Sequence, residues 1–246
     1  DEGTAMLEIV YDCAPGASLA FASNQGTTLG FIQAVNALKN AGAHVIVDDV
    51  GFFTEPYFQD GKVALNDRAI GESVLRVSAA GNDASAHYQG LFTPGVFDAE
   101  VPGGGIRHVF GGGDTLLRFS VPGNTAATLF LQWGNPFGAA GDDYDLCVRF
   151  TTGSLFKCAL LTQDGNDDPI ETLSIPCPPP AGLPCFFDLQ VTRFSGSAQL
   201  IEIFCPGGCR FEEFNVFGQS IFGHPAVPEV LAVAAVSAAT PNMIEP

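Results

Sequence analysis

The chain has 246 residues, 46% of them hydrophobic, which is ample for a core and argues against global disorder. Its 27 Asp and Glu against 10 Lys and Arg give a formal net charge of −17, which argues against nucleic acid as a partner, because phosphate binding needs a positive surface. No apolar run reaches the roughly 18 residues of a membrane span. The acidity suits solubility, a saline or calcium-containing medium, or attraction of basic substrates.

No signal peptide is recognisable, and Asp1-Glu2-Gly3 reads as the middle of a protein rather than a start. Glu2 to Ala14 carries apolar residues at helical spacing and stops at Pro15-Gly16. That puts Cys13 on an apolar helical face, as a buried free thiol. Ser18 to Ala22 is a short strand candidate. Thr27 to Asn40 is amphipathic, with Leu29, Phe31, Ile32, Val35 and Leu38 as its stripe, and Gly42 ends it. Val45-Ile46-Val47 predicts a strand buried on both faces. Ala64 to Glu72 reads as helix, Val74 to Ala80 as strand. This order predicts a parallel sheet with crossover helices, whose ligands gather at the carboxyl ends of the strands. Asp48, Asp49 and Asn82 fall at such ends.

From about Phe97 the texture changes. Two Gly triplets, 103–105 and 111–113, read as linker or turn. Strand-like runs follow at Leu116–Val121, Thr128–Trp133, Tyr144–Phe150, Leu155–Leu161, Glu171–Ile175, Phe186–Phe194, Gln199–Phe204 and Phe211–Phe217. Their even spacing between Gly, Pro and Asp turns predicts an all-β sandwich or jelly roll. Fourteen of the 21 Phe lie between His108 and Phe222 and would fill its core. Val227 to Ala239 suits a buried strand.

Six of the 7 Cys lie in the β-rich region, with no spacing of zinc type and no nearby His. A turn at Thr152-Gly153 that pairs Phe150 with Leu155 sets Cys147 opposite Cys158. Cys177 and Cys185 flank a Pro-rich loop, and Cys205 and Cys209 would close a small ring. Three local disulfides, 147–158, 177–185 and 205–209, are therefore expected, and with them an oxidising, secreted or cell-surface location.

Several segments occur in an order that resembles the subtilase family of serine proteases: Glu2-Gly3-Thr4-Ala5, Ala14-Pro15-Gly16-Ala17, Val45 to Asp49, Ser78 to Asn82, and Gly223 to Val236. The resemblance covers roughly 1–82 and 222–246. It implies an incomplete α/β parallel-sheet, subtilisin-like domain in two segments, 1–99 and 222–246, holding an inserted all-β sandwich or jelly-roll domain at 100–221. That insertion is similar, notably at Asp143-Tyr144-Asp145-Leu146, to β-sandwich domains that accompany secreted bacterial proteases. It also implies a polypeptide substrate, and the remainder of the parent domain as a partner. No Gly-Thr-Ser-Ala-type nucleophile segment occurs up to Pro246, so the fragment is expected to be inactive by itself.

Glu2 stands where the family has its His base. A carboxylate of ordinary pKa, near 4.3, is a weak base at neutral pH and fits an acidic optimum. The related sedolisin family uses Glu there with an Asp four residues on, where this chain has Met6. Asp1, Asp48 and Asp49 are the available partners, with Asp49 favoured at its strand end. The alternative is a decayed site in a pseudoprotease that presents the sandwich for binding or adhesion. The resemblance makes Asn82 an oxyanion donor; otherwise it is a turn residue. The four His form no cluster, and none stands in a recognised catalytic place. Two acidic loops offer oxygen ligands suited to calcium, through Asp143 and Asp145 and through Asp164, Asn166 and Asp168. Solvated turns are the other reading of these loops.

Overall fold

The computed structural model describes residues 2–178, 180, 182–237 and 239. In chain order the helices are α1 (Glu2–Cys13), α2 (Thr28–Asn40) and α3 (Lys62–Gly71). The first strands are β1 (Val45–Asp48), β2 (Leu75–Ala79), β3 (His87–Leu91), β4 (Pro94–Asp98), β5 (Gly105–His108), β6 (Leu117–Val121) and β7 (Thr125–Trp133). Then come β8 (Asp143–Phe150), β9 (Leu155–Ala159), β10 (Ile170–Cys177), β11 (Cys185–Ser195), β12 (Leu200–Phe204), β13 (Arg210–Phe211) and β14 (Val230–Val233). The chain divides into two compact units. One comprises Asp1–Glu55, Asp60–Ala80 and Gly223–Val233, the other Pro56–Gln59, Gly81–Phe222 and Ala234–Pro246.

The first unit is a three-stranded parallel sheet in the order β1-β2-β14, with helices α2 and α3. The Thr27 hydroxyl caps α2 by accepting from the Gly30 N–H at 3.0 Å. Gly42, at φ +91, lets the chain turn away beyond Asn40, in a conformation an L side chain rarely takes. Phe31 and Val35 of α2 and Val63 and Ile70 of α3 close on Ile46 and Val74 to form the core. Parallel pairing sets Asp48 beside Ser78 and Ile46 beside Arg76, all four buried. The other face of the sheet is bare. Val45 (52%), Val47 (46%), Leu75 (52%), Leu231 (56%) and Val233 (50%) are about half exposed. The expectation of a strand buried on both faces at Val45-Ile46-Val47 is thus corrected: only one face is covered.

Three further readings change here. Cys13 is exposed rather than buried, because α1 buries no residue at all. Residues 18–22 form no strand. Among the described residues of the apolar stretch Val227–Ala239, only Val230–Val233 forms a strand, and its Leu231 and Val233 stay about half exposed.

The second unit is two antiparallel sheets around one core. The four-stranded sheet has the order β10-β7-β12-β3. The other holds seven strands and is built on β11. Cys185–Leu189 pairs with β6, Thr192 and Arg193 pair with β5, and the other side of β11 pairs with β8, which carries β9. Leu129, Leu131 and Trp133 of β7 and Ile201 and Ile203 of β12 meet Leu146 and Val148 of β8 and Leu189 and Val191 of β11, all fully buried. The three disulfides form as the spacing predicts: Cys147–Cys158, Cys177–Cys185 and Cys205–Cys209. Cys147 lies opposite Cys158, but the register slips at Phe156, so that Arg149 rather than Phe150 opposes Leu155.

These observations overturn the α/β parallel-sheet, subtilisin-like class expected for the chain. Among the described residues there are three α-helices and 14 strands, and only β1, β2 and β14 pair in parallel. The physical reason is twofold. The first candidate strand of the β-α-β pattern never forms. Residues 87–98, placed in the α/β segment, and the first Gly triplet instead supply three antiparallel strands, β3, β4 and β5.

Candidate functional site

The residues that the motifs single out for catalysis, Glu2, Asp49 and Asn82, are each exposed. Glu2 is the first residue of α1 and is exposed. Asp49 is exposed just beyond β1, and Asn82 is exposed in the bend three residues beyond β2. No hydrogen bond joins Glu2 to Asp49 among the described residues. Asp1 lies outside them.

What the first unit does assemble is a buried polar knot, three of whose five residues, Asp48, Ser78 and His224, lie within the quoted motifs. β1 supplies Asp48, β2 supplies Arg76 and Ser78, α3 supplies Asp67, and the turn His224–Ala226 supplies His224. The Ser78 hydroxyl donates to Asp48 Oδ1 at 2.7 Å. His224 Nε2 lies 3.0 Å from that same oxygen and 3.2 Å from Ser78 Oγ. Arg76 donates to Asp48 Oδ2 at 2.8 Å, grips Asp67 through two bonds of 3.1 and 2.9 Å, and reaches the Ile46 carbonyl at 2.9 Å. The rings of Phe31 and Phe52 lie against His224, with centroids at 5.1 and 6.3 Å. Burial alone would raise the Asp48 carboxyl, but the bonds from His224 and Ser78 and the Arg76 charge outweigh it and hold it below its ordinary value.

Aspartate, histidine and serine in contact invite comparison with a hydrolytic triad, and the geometry rejects it. In a triad the imidazole uses one nitrogen for the serine and the other for the carboxylate. Here Ser78 and Asp48 share Nε2, and the serine proton points to Asp48. An Nε2 that donates to Asp48 cannot take a proton from Ser78. The Ser78 side chain is also buried, closed to any substrate. The signal for this knot was present in the sequence as a charge inside an apolar strand, Leu75-Arg76-Val77. A strand buried on that face must bring partners for such a charge.

The second unit holds its own buried polar groups. Asp142 is fully served: it accepts from the Asn135 and Gln199 amides at 2.8 and 2.6 Å and from the Ser197 N–H at 2.6 Å. Asp98 gathers Arg107, Arg149 and Gln190, and despite burial these partners hold its carboxyl down at about 2. His108 is buried, with Nδ1 accepting from the Thr93 N–H at 3.0 Å and Nε2 2.8 Å from the Tyr88 hydroxyl. Nε2 therefore carries the proton, and burial pulls the His108 pKa down to about 4.

Asp143, Asp145, Gln163 and Glu171 are different. All four are buried, and none of their carboxylates is paired with Lys or Arg among the described residues. The Gln163 side chain donates to Glu171 Oε1 at 3.4 Å, and the Leu161 N–H donates to that oxygen at 2.6 Å. The Gln163 backbone N–H serves Asp143. Burial and the neighbouring acids push Asp145 up to about 7 and Glu171 up to about 8. The second loop offered as a source of calcium ligands lies on the surface. Asp164, Asn166 and Asp168 are exposed, and Asp168 accepts from the Gly138 N–H at 2.8 Å.

No family model matches the sequence. No curated protein matches it either. Among solved structures, the chain is similar to the CspB protease of Clostridium perfringens, with a TM-score of 0.43 and 13% identity over 80% of this chain and 42% of that one. The chain thus spans less than half of that protease, and a likeness this slight fixes no residue's role. No helix among the described residues is long and apolar enough to cross a membrane. Three disulfides are compatible with a secreted protein.

Proposed function

We propose that this chain is a segment of a secreted, peptidase-related protein, and that within the segment the first unit is a platform rather than a hydrolytic centre. One observation carries the second half of that reading. The only Ser–His–Asp contact among the described hydrogen bonds is the closed knot of Asp48, Ser78 and His224, whose serine is buried and whose imidazole presents one nitrogen to both partners. Such a cluster stabilises a fold and offers no nucleophile.

The peptidase relation rests on the ordered motifs. The full-length parent would be a serine endopeptidase of the subtilase type acting on polypeptide. Glu2 would stand in for the His base, with Asp49 as its partner and Asn82 as the oxyanion donor. A second reading keeps the ancestry and drops the activity: a pseudoprotease platform that presents the β unit for binding. It is favoured by the position of Glu2, exposed on a helix that buries no residue.

The test is proteolysis of an unfolded protein substrate by this chain and by the full-length parent. The chain alone should cleave nothing. The parent should cleave with an acidic optimum. Glu2→Gln in the parent should cut kcat by about 100-fold or more while circular dichroism stays unchanged. Undiminished turnover in that variant would remove Glu2 from the mechanism. A parent without any turnover would establish the platform reading. Cleavage by the isolated chain would overturn the proposal.

A further inference from the structure

The connection from β9 to β10 ends a run of oxygen atoms that nothing in the protein serves. Glu171 Oε2, Asp143 Oδ1 and Gln163 Oε1 are each buried without a hydrogen-bond partner. Glu171 is 0% exposed, Asp143 4% and Gln163 4%. The three belong to one locale. Gln163 donates through its side chain to Glu171 and through its backbone to Asp143, so each residue is tied to the next and still keeps one oxygen unsatisfied. An unpartnered buried acceptor costs of order 1–3 kcal/mol, and a charged one more. Three acceptors tied in sequence are therefore not an accident of packing that folding would tolerate without compensation. A cation would serve all three, because each unsatisfied oxygen offers a lone pair. No Lys or Arg pairs with any of the carboxylates among the described residues, so the protein does not supply it.

We propose that Asp143, Gln163 and Glu171 bind a calcium ion. Two carboxylates and an amide carbonyl are hard oxygen ligands, and calcium takes six to eight such oxygens in flexible geometry. Among the described residues no three His, Cys, Asp or Glu side chains form a ready-made metal cage. The donor set here has only two acids, and backbone carbonyls and water complete it. Asp145, two residues from Asp143 on the same strand, adds negative charge without being required as a ligand. Magnesium fits less well, since it demands near-octahedral order and parts with its water reluctantly. The exposed loop residues Asp164, Asn166 and Asp168 are not its ligands. The ion sits at the root of that loop, among buried side chains, and fixes the connection between β9 and the edge strand β10.

The experiment uses the whole chain, stripped with a chelator, at fixed pH. Millimolar calcium should raise its melting temperature by several degrees through mass action, and equimolar magnesium should not. Terbium should bind in place of calcium and light up on aromatic excitation. Tyr144 adjoins Asp143 and lies 5.2 Å from the Trp133 ring, centroid to centroid. Calcium should quench that emission by displacement. Asp143→Asn with Glu171→Gln keeps the shapes and removes both charges; it should fold and lose both responses. Asp164→Asn with Asp168→Asn should keep them. The proposal is overturned by equal effects of magnesium and calcium, which would mean general screening of an acidic protein. It is equally overturned by loss of the response in the loop pair, or by a wild-type chain that shows neither terbium emission nor a calcium shift. The terbium measurement on the wild type needs no variant to fold.

Discussion

The two units solve the problem of an interior in opposite ways. The β unit closes two antiparallel sheets on each other around one large apolar core, with Cys177, Cys205 and Cys209 of its three short disulfides among the core members. The parallel unit covers one face of a three-stranded sheet and places beneath that cover an arginine, two aspartates, a serine and a histidine. The first interior tolerates many substitutions of similar volume. The second is all or nothing, because each charged group is compatible with burial only while its partners remain. Position on a pleat decides which residues fill a sandwich; partnership decides which fill the knot.

The largest way to test this contrast is Arg76→Met. It leaves Asp48 and Asp67 buried without their cation and should destabilise the parallel unit by about 3–5 kcal/mol. Denaturation followed by probes in each unit should show that transition move while the β-unit transition stays. If both moved equally, the units would not be independent interiors.

Acidification comes next. His108 is held neutral among the rings of Tyr88, Phe92 and Phe110, with a pKa near 4 against an ordinary 6.5. Its folded pKa is depressed, so below pH 6.5 the unfolded chain takes up a proton that the native chain refuses. Stability is then lost as pH falls from about 6.5 to about 4, by up to roughly 3 kcal/mol at about 1.4 kcal/mol per pH unit, and no further below that. The difference between wild type and His108→Gln isolates this group from other titrations. An unchanged pH profile in that variant would refute the assignment. The smallest effect is Ser78→Ala. It removes one of several donors to Asp48 and should cost about 1 kcal/mol, leaving the Arg76 contacts in place. A loss as large as that of Arg76→Met would mean that the hydroxyl organises the knot rather than joins it.

Much of the β unit was legible. Alternation over Thr128–Trp133 and Phe186–Phe194 placed strands that the structure begins at Thr125 in the first case and runs from Cys185 to Ser195 in the second. The cysteine pairs followed from local spacing, because short loops leave few alternatives. The strands His87–Leu91, Pro94–Asp98 and Gly105–His108 were hidden, since glycine and charge dilute their pattern, and the first and third also pair with strands far along the chain. The candidate sites were less legible still. His224 stands between Gly223 and Pro225 and looks like a loop residue; only the distant arrival of Asp48 and Ser78 gives it a role. Glu171 shares a strand face with Leu173 and Ile175, and the pairing of β10 with β7 sets it opposite Leu131.

The order of synthesis follows from where His224 stands. It lies 146 residues after Ser78, with nearly all of the β unit between them. At about 5–20 residues per second, a ribosome takes on the order of 7–30 seconds to travel that distance. During that interval β1, β2 and Arg76 have already emerged, while β14 and the imidazole that complete them do not yet exist. The β unit, nearly all contiguous, can fold first. The parallel sheet must wait, its apolar strands and buried ion pair unfinished, and this interval is when a chaperone has most to protect.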